Sequence, residues 1–304
     1  MKHCYYRKGG RAMEKRRKRG IVLLLIVLLL AGVLVGVWWK QEEKPKEEVS
    51  NHALKVTLFK VGKADAIVLE KENYTMVIDV GEEEDGEEIV AYLKGQGKDT
   101  VNDLVITHFD KDHVGGADTL VEDLYVQRAI IPNYQGQTVE YSDFIQALKE
   151  KQVDTKTLNE NMEFTVQDMN VLIEPPLSYE LSENIVEMDN NFSLITTITH
   201  GRNRLVFMGD AEKQRIREWL KTGEVGKCDF LKVAHHGVYE TELKTLLDKL
   251  KPECAAICTS HKNPADKETL EELKKRNVRY FETKDGNITV ISDGKDLELH
   301  QKVE

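Results

Sequence analysis

The sequence has little cysteine, with four residues among 304. So few cysteines exclude the dense disulfide framework of small secreted domains. The spacing Cys254-x3-Cys258-x2-His261 raises the alternative of a zinc site. The surrounding stretch instead predicts a buried strand, because alternation places Cys254, Ala256 and Cys258 on one face. We therefore interpret these cysteines as core residues.

Basic residues are outnumbered by acidic residues beyond residue 40. The first 40 residues hold 10 of the 43 Lys and Arg but only one of the 53 Asp and Glu, which leaves 33 basic and 52 acidic residues and a formal charge of −19. An acidic domain repels polyanions at long range, which argues against tight non-specific nucleic-acid binding unless a local basic patch or bound metals supply attraction. The chain also lacks short repeats, and low-complexity sequence occurs only at its ends, which excludes repeat architectures.

One long hydrophobic run is present, from Ile21 to Trp39. Its 19 apolar or glycine residues are enough to cross a bilayer as a helix. The dense cationic block that precedes it predicts a cytoplasmic N-terminus and an exported remainder. A cleaved signal peptide and a buried core helix are the alternatives, but the run is long for a signal peptide and ends in Trp38 and Trp39 where small residues would be needed. We expect a single-pass cell-membrane anchor.

The run divides the chain into four parts. Residues 1–20 form a basic cytoplasmic tail and residues 21–39 the transmembrane helix. Residues 40–50, with the sequence KQEEKPKEEVS, are charged and have no apolar face, which is typical of a solvated linker. Residues 51–304 are enough for one large exported domain.

Within this domain, short β-rich runs come first, and strand-like and helix-like segments then alternate. The predicted strands lie at residues 54–60, 64–70, 74–79, 104–107, 193–199, 204–208, 230–234, 255–259, 278–281 and 288–291. The predicted helices lie at residues 141–151, 211–221, 240–250 and 267–276. Two successive β-then-α halves predict an α/β fold in which two sheets pack together with helices outside.

Potential metal ligands are concentrated directly after the strand predicted at 104–107. His108, Asp110, Asp112 and His113 lie within six residues and open a turn that contains Gly115. In an extended segment His108 and Asp110 point the same way, and the turn brings Asp112 and His113 toward a second point nearby. Such nitrogen and oxygen donors suit two divalent cations about 3.5 to 4 Å apart. A solvated turn is the alternative, but it does not explain this density of ligands.

Two later strand ends carry further ligand-type residues. Asp210 ends the apolar run from Leu205, and the pair His235 and His236 ends the run from Phe230. Asp210 is placed to bridge two cations, and one histidine of the pair completes the second site. Each motif alone is weak, because Gly-Asp after a strand is usually a turn or a helix cap. Their order and spacing together predict a two-metal centre between two sheets.

These motifs resemble the metallo-β-lactamase superfamily pattern His-x-His-x-Asp-His. The domain most resembles the metallo-β-lactamase-like domains of the ComEC family of DNA-uptake proteins and their stand-alone relatives, over residues 54–299. The matching segments, in order, are Val61–Leu69, Val77–Gly81, Asn190–Leu194, Gly209–Asp210 and Lys232–Gly237. The resemblance implies the four-layer αβ/βα metallo-β-lactamase sandwich and a metal-dependent hydrolase.

The resemblance also implies roles for individual residues. His108 and Asp110 would hold the first metal, Asp112 and His113 the second, Asp210 would bridge, and His235 or His236 would be the last ligand. The candidate catalytic residues are Asp112, His235 and His236, since the histidine that is not a ligand is available to protonate a leaving group or to stabilise developing charge. The supporting residues would be Asp65, Asp79, Asn191 and Ser193, with Asp79 orienting a ligand histidine.

Departures from the family pattern bear on the metal and the substrate. Asp110 stands where an imidazole is usual in the superfamily, and Asn191 lies where many members have another histidine. Harder ligands shift the preference from zinc toward manganese. Asn263 replaces a histidine that is common in relatives. This difference argues against nuclease activity more than against metal binding.

Three classes of function follow. The first is phosphodiester hydrolysis, of DNA by resemblance or of a wall or lipid component in view of the acidic surface. The second is hydrolysis of a lactone, lactam or thioester, against which the oxygen-rich first site argues. The third is a non-catalytic surface protein, which six retained ligand-type residues argue against.

Overall fold

The computed structural model describes residues 52–179, 188–222 and 225–303. The predicted cytoplasmic tail, transmembrane helix and linker lie outside these residues. Among the helices of the described ranges, none has the length and apolar character needed to cross a membrane.

Fifteen strands occur in the described part of the chain, and their bounds are β1 (Leu54–Leu58), β2 (Ala66–Lys71), β3 (Tyr74–Val80), β4 (Thr100–Val105), β5 (Tyr125–Pro132), β6 (Asp154–Leu158), β7 (Met162–Val166), β8 (Met169–Glu174), β9 (Ile195–His200), β10 (Asn203–Phe207), β11 (Phe230–Lys232), β12 (Cys254–Ile257), β13 (Arg279–Glu282), β14 (Ile288–Ser292) and β15 (Leu297–Gln301). The helices of the same part are α1 (Asp85–Gly95), α2 (Lys111–Val114), α3 (Ala117–Asp123), α4 (Val139–Glu150), α5 (Met188–Asn191), α6 (Lys213–Thr222), α7 (Leu243–Leu250) and α8 (Lys267–Lys275).

The strands form two sheets. The first has eight strands in the order β15-β14-β1-β2-β3-β4-β5-β6, and the second has seven in the order β13-β12-β11-β10-β9-β8-β7. Strands β3 to β6 run parallel in the first sheet, as do β10 to β13 in the second, while the remaining neighbours are antiparallel. Parallel strands end at the same edge, so each sheet gathers several strand ends there.

Three hydrophobic cores define four layers. The inner core lies between the sheets and contains residues such as Val56, Ile198 and Phe230. A second core joins the first sheet to α1, α3 and α4, and a third joins the second sheet to α6, α7 and α8. The predicted four-layer αβ/βα sandwich is therefore the observed arrangement of the described domain.

Helix α7 illustrates how sequence spacing produces the outer layers. Leu243, Leu246, Leu247 and Leu250 recur at the spacing of one helical face, and all four are buried. Full burial of each leucine contributes about 2 kcal/mol. The helix ends at Lys251, which has left-handed backbone dihedrals.

The prediction of a cysteine-bearing core strand is confirmed. Cys254, Ala256 and Cys258 belong to the inner core, whereas Ala255 and Ile257 face the outer core of the second sheet. All three described cysteines are free and buried, so burial rather than metal binding accounts for the Cys254-x3-Cys258 spacing.

Some elements differ from those predicted. The strand expected at 104–107 covers Thr100–Val105, so Ile106 onward leaves the sheet in irregular backbone before the motif. Helices α1, α2, α3 and α5 and strands β5 to β8 and β15 were not predicted. His200 is the buried last residue of β9, where its Nδ1 lies 2.8 Å from Ser292 Oγ.

Candidate metal centre

The candidate site is built where parallel strands of the two sheets end. Asp79 lies near the end of β3 and His108 follows β4, which is parallel to β3. Asp210 and His236 follow β10 and β11, the adjacent parallel strands of the second sheet. Because both sheets present these ends to the same region, residues far apart in the chain come into contact.

Asp79 fixes the motif segment after β4. Its side chain is fully buried and accepts hydrogen bonds from Thr107 N at 2.7 Å and from Thr107 Oγ1 at 2.7 Å. The same carboxylate lies 2.8 Å from His113 Nδ1, so it orients this imidazole. Asp79 adopts a φ of 57°, a left-handed conformation that Asp tolerates better than most residues.

Four ligand-type side chains form a tight group. Single donor atoms of Asp112, His113, Asp210 and His236 all lie within 4.8 Å of one another. His236 Nε2 lies 3.0 Å from Asp210 Oδ2 and 3.4 Å from Asp112 Oδ2, and His113 Nε2 lies 3.4 Å from Asp210 Oδ1. Of the histidine pair left open by the sequence, the structure brings His236 into this group.

The imidazoles have the arrangement that metal ligands require. The Nδ1 atoms of His108, His113 and His236 contact Thr107 Oγ1 at 3.0 Å, Asp79 at 2.8 Å and the Cys258 carbonyl at 3.1 Å. The three Nε2 atoms are buried, and within the described residues none has a hydrogen bond of acceptable geometry. Carboxylate oxygens lie 3.0 to 3.6 Å away, but the nitrogens are not aligned with them.

An orphaned buried nitrogen costs about 1 to 3 kcal/mol, and three in one place need an explanation. A cation between the imidazoles and the carboxylates satisfies all three, because a metal-bound histidine typically has its other ring nitrogen held by a hydrogen bond. The residues present therefore fit divalent metal ions.

The electrostatics of the group support the same fit. Burial opposes protonation of His113, but the charges of Asp210 and Asp79 outweigh it and raise the pKa of His113 well above its ordinary value. Burial likewise opposes protonation of His236, and Asp210 and Asp112 raise the pKa of that imidazole. The carboxylates thus stabilise positive charge at this point. A divalent cation that binds there would displace the protons of the imidazoles.

The carboxylates respond in the opposite direction. Burial alone would raise the pKa of Asp210, but the charges of His236, His113 and Lys232 hold it well below the ordinary range. Asp112 behaves similarly, since the contact with His236 outweighs its burial and lowers its pKa. Both side chains are therefore anionic oxygen donors near neutral pH.

Residues behind the group hold it in place. Asp65 Oδ1 lies 3.6 Å from His236 Nδ1, and Asp65 also forms a short ion pair with the ammonium of Lys232. Ser193 Oγ accepts a hydrogen bond from Asp210 N at 3.2 Å. Gly209 has a φ of 51°, and a Cβ there would lie 3.0 Å from Thr107 Cβ, so only glycine allows this close approach.

The other half of the predicted centre is more open. His108 Nε2 lies 3.6 Å from Asp110 Oδ2, and the rings of His108 and His113 are 4.1 Å apart. His108 is fully buried, whereas the side chain of Asp110 is 40% exposed. This pair therefore lies between the buried group and solvent.

Asp189 is a site residue that the sequence did not predict. It lies in α5, and burial together with the charge of Asp110 raises its pKa. A cation held by both carboxylates would relieve this repulsion. The sequence signal was present two positions before Asn191, in the turn that leads to Ser193.

Asn191 forms hydrogen bonds with the start of α6, the helix that follows the turn after β10 in the second sheet. Its Oδ1 accepts from Arg215 N at 3.0 Å, and its Nδ2 donates to Glu212 at 3.2 Å. These bonds tie α5 to the start of α6 and fix the turn that carries Asp189.

His235 points elsewhere than His236. The ring centroids are 6.4 Å apart, and His235 Nδ1 lies 3.7 Å from Glu212 Oε1 and 3.9 Å from Glu240 Oε1. Both histidines adopt a positive φ, so two consecutive non-glycine residues hold strained backbone that separates their side chains.

An aromatic cluster forms one wall beside Asp110 and Asp189. Tyr134 packs against Phe109, Phe192 and Tyr179 with ring centroids 4.7, 4.8 and 6.1 Å apart, and its hydroxyl accepts from Phe109 N at 2.7 Å. Tyr134 and Tyr179 are half-buried, so their ring edges are available at the surface.

Comparison with known families identifies the fold class. Residues 60–261 match the family model described as "Metallo-beta-lactamase superfamily". The chain therefore belongs to the metallo-β-lactamase superfamily, as the motifs predicted.

Two curated proteins are similar in sequence. The chain is 26% identical over 206 residues to ComE operon protein 3 of Bacillus subtilis, which covers 66% of this chain and 26% of that protein. It is 27% identical over 224 residues to Recombination protein 2 of Haemophilus influenzae, which covers 72% of this chain and 26% of that protein. The chain thus spans about a quarter of the length of these relatives.

Solved structures agree on the fold. The metallo-β-lactamase fold protein YhfI from Bacillus subtilis superimposes with a TM-score of 0.53 at 10% identity, over 79% of this chain and 100% of that one. A variant of the CmlA β-hydroxylase gives a TM-score of 0.53 at 12% identity, over 81% of this chain and 54% of that one. At such identity the likeness shows the fold alone.

Proposed function

We propose that this protein is a membrane-anchored, two-metal hydrolase that cleaves phosphodiesters outside the cytoplasm. The observation that carries the proposal is the convergence of three buried, orphaned Nε2 atoms with carboxylates from both sheets. Few arrangements other than a metal centre stabilise such a group in a folded domain.

The donors divide into two sets with one residue between them. His108, Asp110 and Asp189 would hold the first cation, and Asp112, His113 and His236 the second. Asp210 would bridge the two cations, as the family resemblance implies, and its two oxygens lie 3.4 Å from His113 Nε2 and 3.0 Å from His236 Nε2 of the second set. Seven donor residues in these positions match two cations, each with room for water or substrate.

The donor chemistry favours hard cations. Four carboxylates and three imidazoles make the centre oxygen-rich, and the first set has a single nitrogen donor. Oxygen donors favour manganese or magnesium, whereas softer donors favour zinc. We therefore expect manganese to support activity at least as well as zinc.

Two divalent cations supply Lewis acidity that activates water and polarises the scissile group. The chain contributes the surrounding organisation. Asp79 and Asp65 orient the imidazoles, and Ser193 accepts a hydrogen bond from Asp210 N. His235, beside Glu212 and Glu240, provides a polar group adjacent to the centre that can hydrogen-bond the leaving group.

Phosphodiesters are favoured over carbon-centred substrates by the oxygen-rich donors and by the relatives. One relative is named for recombination and another for the ComE operon, which supports a nucleic-acid substrate. The formal charge of −19 beyond residue 40 works against long polyanions and keeps wall or lipid phosphodiesters as candidates.

The proposed location outside the cytoplasm rests on residues 1–50. The cationic block followed by the 19-residue apolar run supports a helix that anchors the protein with its N-terminus in the cytoplasm. The substrate would then be encountered at the outer side of the membrane.

A substrate panel tests the proposal. Full-length protein stripped of metal and reloaded with manganese or zinc should cleave bis(p-nitrophenyl) phosphate. Its rates with single-stranded DNA and with glycerophosphodiesters then distinguish a nucleic-acid substrate from a wall or lipid substrate. A p-nitrophenyl ester and a lactone serve as carbon-centred controls. Cleavage of the ester or lactone alone would refute the phosphodiester assignment, and stoichiometric metal binding without turnover of any substrate would refute hydrolysis.

A further inference from the structure

Lys232 is a fully buried lysine at the end of β11. Burial of an isolated ammonium is very unfavourable, so such a group persists only where acceptors surround it. Its Nζ forms a short ion pair with Asp65 Oδ2, donates to the Gly209 carbonyl at 2.9 Å, and lies 3.5 Å from Asp210 Oδ1. Three acceptors match the three N–H groups of an ammonium.

These acceptors come from both sheets. Gly209 and Asp210 form the turn after β10 in the second sheet, whereas Asp65 precedes β2 in the first. Asp65 in turn lies 3.6 Å from His236 Nδ1 and 3.9 Å from His113 Nδ1. The ammonium therefore contacts two carboxylates. One is Asp210, which would lie between the two proposed cations, and the other is Asp65, which lies behind the proposed ligands His113 and His236.

From this geometry we propose that Lys232 is a positioning residue of the metal centre, a permanent cation that orients Asp210 toward both metal positions and holds Asp65 behind His113 and His236. This inference rests on the proposed metal centre. It differs from a simple ion pair, because a simple pair would need Lys232 only to neutralise Asp65. Orientation of Asp210 requires the ammonium itself, since the Gly209 carbonyl and Asp210 Oδ1 are bonded to the same Nζ.

The chain offers a matched control. Lys71 is the other large buried lysine, and it pairs with Asp168 at 3.1 Å and with the His52 carbonyl. Lys71 ends β2, whose start follows Asp65, so six residues of strand place it about 20 Å from Asp65. It is similarly buried and forms an ion pair, with a carboxylate that is exposed, and it does not contact the candidate centre.

The experiment compares four full-length proteins loaded with cobalt(II): the parent, Lys232→Met, the double variant Lys232→Met with Asp65→Asn, and Lys71→Met. The double variant removes both charges of the pair together, so it leaves no unpaired buried carboxylate. Thermal unfolding reports folding, titration reports cobalt affinity, and the visible absorption of bound cobalt reports the geometry of its ligands.

We expect Lys232→Met, which keeps Asp65, and the double variant both to bind cobalt about 10- to 100-fold more weakly than the parent, the range typical for loss of a residue that supports metal ligands, and we expect the double variant to fold. Its cobalt spectrum should also change. Lys71→Met should lower the unfolding temperature and leave the affinity and the spectrum at parental values.

Three outcomes would overturn parts of this account, and they are distinguishable. Absence of stoichiometric cobalt in the parent would remove the proposed metal centre. Parental affinity and spectrum in the double variant would show that Lys232 only neutralises Asp65. An unfolded double variant beside a folded Lys71→Met would make Lys232 a residue needed for folding rather than for positioning.

Discussion

At the scale of single residues, the site departs from a zinc-type centre chiefly at Asp110. Its carboxylate lies 3.6 Å from His108 Nε2 where a second imidazole is usual in the superfamily, and Asp189 adds another carboxylate beside it. Asp110→His restores a nitrogen donor, so the ratio of zinc-supported to manganese-supported activity should rise even if total activity falls. Activation curves of apo protein with each metal measure this ratio.

Asp110→Asn is the matched control, because it keeps an oxygen donor at the same position and should leave the zinc preference low. An unchanged ratio in Asp110→His, with metal still bound, would show that this residue does not determine metal choice.

His200 makes a second residue-level prediction, which concerns stability and pH. Burial and the positive charge of Lys71 lower the pKa of His200, against the opposing charges of Asp168 and Asp293. The unfolded state therefore binds a proton more readily than the folded state, and this contribution to stability is complete above pH about 6.5 and decreases as pH falls below it.

The contribution of His200 to the free energy of unfolding should consequently fall between pH 7.5 and 5.5, so the parent should lose more stability, or gain less, over this range than His200→Gln, which retains a hydrogen-bonding side chain beside Ser292. Denaturant unfolding of both proteins across this range measures the slopes of stability against pH. Identical slopes would show that His200 does not titrate differently on folding.

At the scale of elements, helix α7 covers the second sheet with one leucine face. Leu247 is fully buried in the outer core, so Leu247→Ala should destabilise the domain by about 2 to 5 kcal/mol through lost burial and a residual cavity. Lys244→Ala removes an exposed side chain of the same helix, whose ion pair with Glu272 spans 3.8 Å, and should cost less than about 1 kcal/mol. Equal effects of the two substitutions would contradict the assigned packing.

The elements found from sequence were those with strong hydrophobic periodicity. Strands such as β1 and β10 and helices such as α7 and α8 were predicted within a few residues. Strands β6 and β7 were missed, because they are sheet edges with largely exposed or half-buried side chains and lack a clear apolar pattern.

The site was predictable to the extent that its ligands lie in one motif or at strand ends. His108, Asp110, Asp112, His113 and Asp210 follow from their positions in the sequence. The choice between His235 and His236 did not, because it depends on two consecutive positive φ angles, and Asp189 did not, because only tertiary packing of α5 brings it to Asp110.

At the scale of the whole molecule, the charge distribution predicts orientation in the membrane. Because ten of the first 40 residues are basic and one is acidic, the N-terminus should remain cytoplasmic. Protease added to intact cells should then remove the domain, while an epitope placed before residue 20 stays protected until the cells are lysed. A domain that resists protease on intact cells would contradict an exported location.

The central claim is that one buried group binds two metal ions that perform hydrolysis, and Asp210 is the residue on which both ions depend. The most direct measurement is the metal content per chain of manganese-loaded protein, together with phosphodiester hydrolysis, in the parent and in Asp210→Ala. Asp123→Ala, which changes an exposed carboxylate paired with Lys94, is the control. The account predicts two equivalents of metal in the parent and the control, and loss of most metal and hydrolysis together in Asp210→Ala. Equal metal content and equal activity in Asp210→Ala and the parent would contradict it.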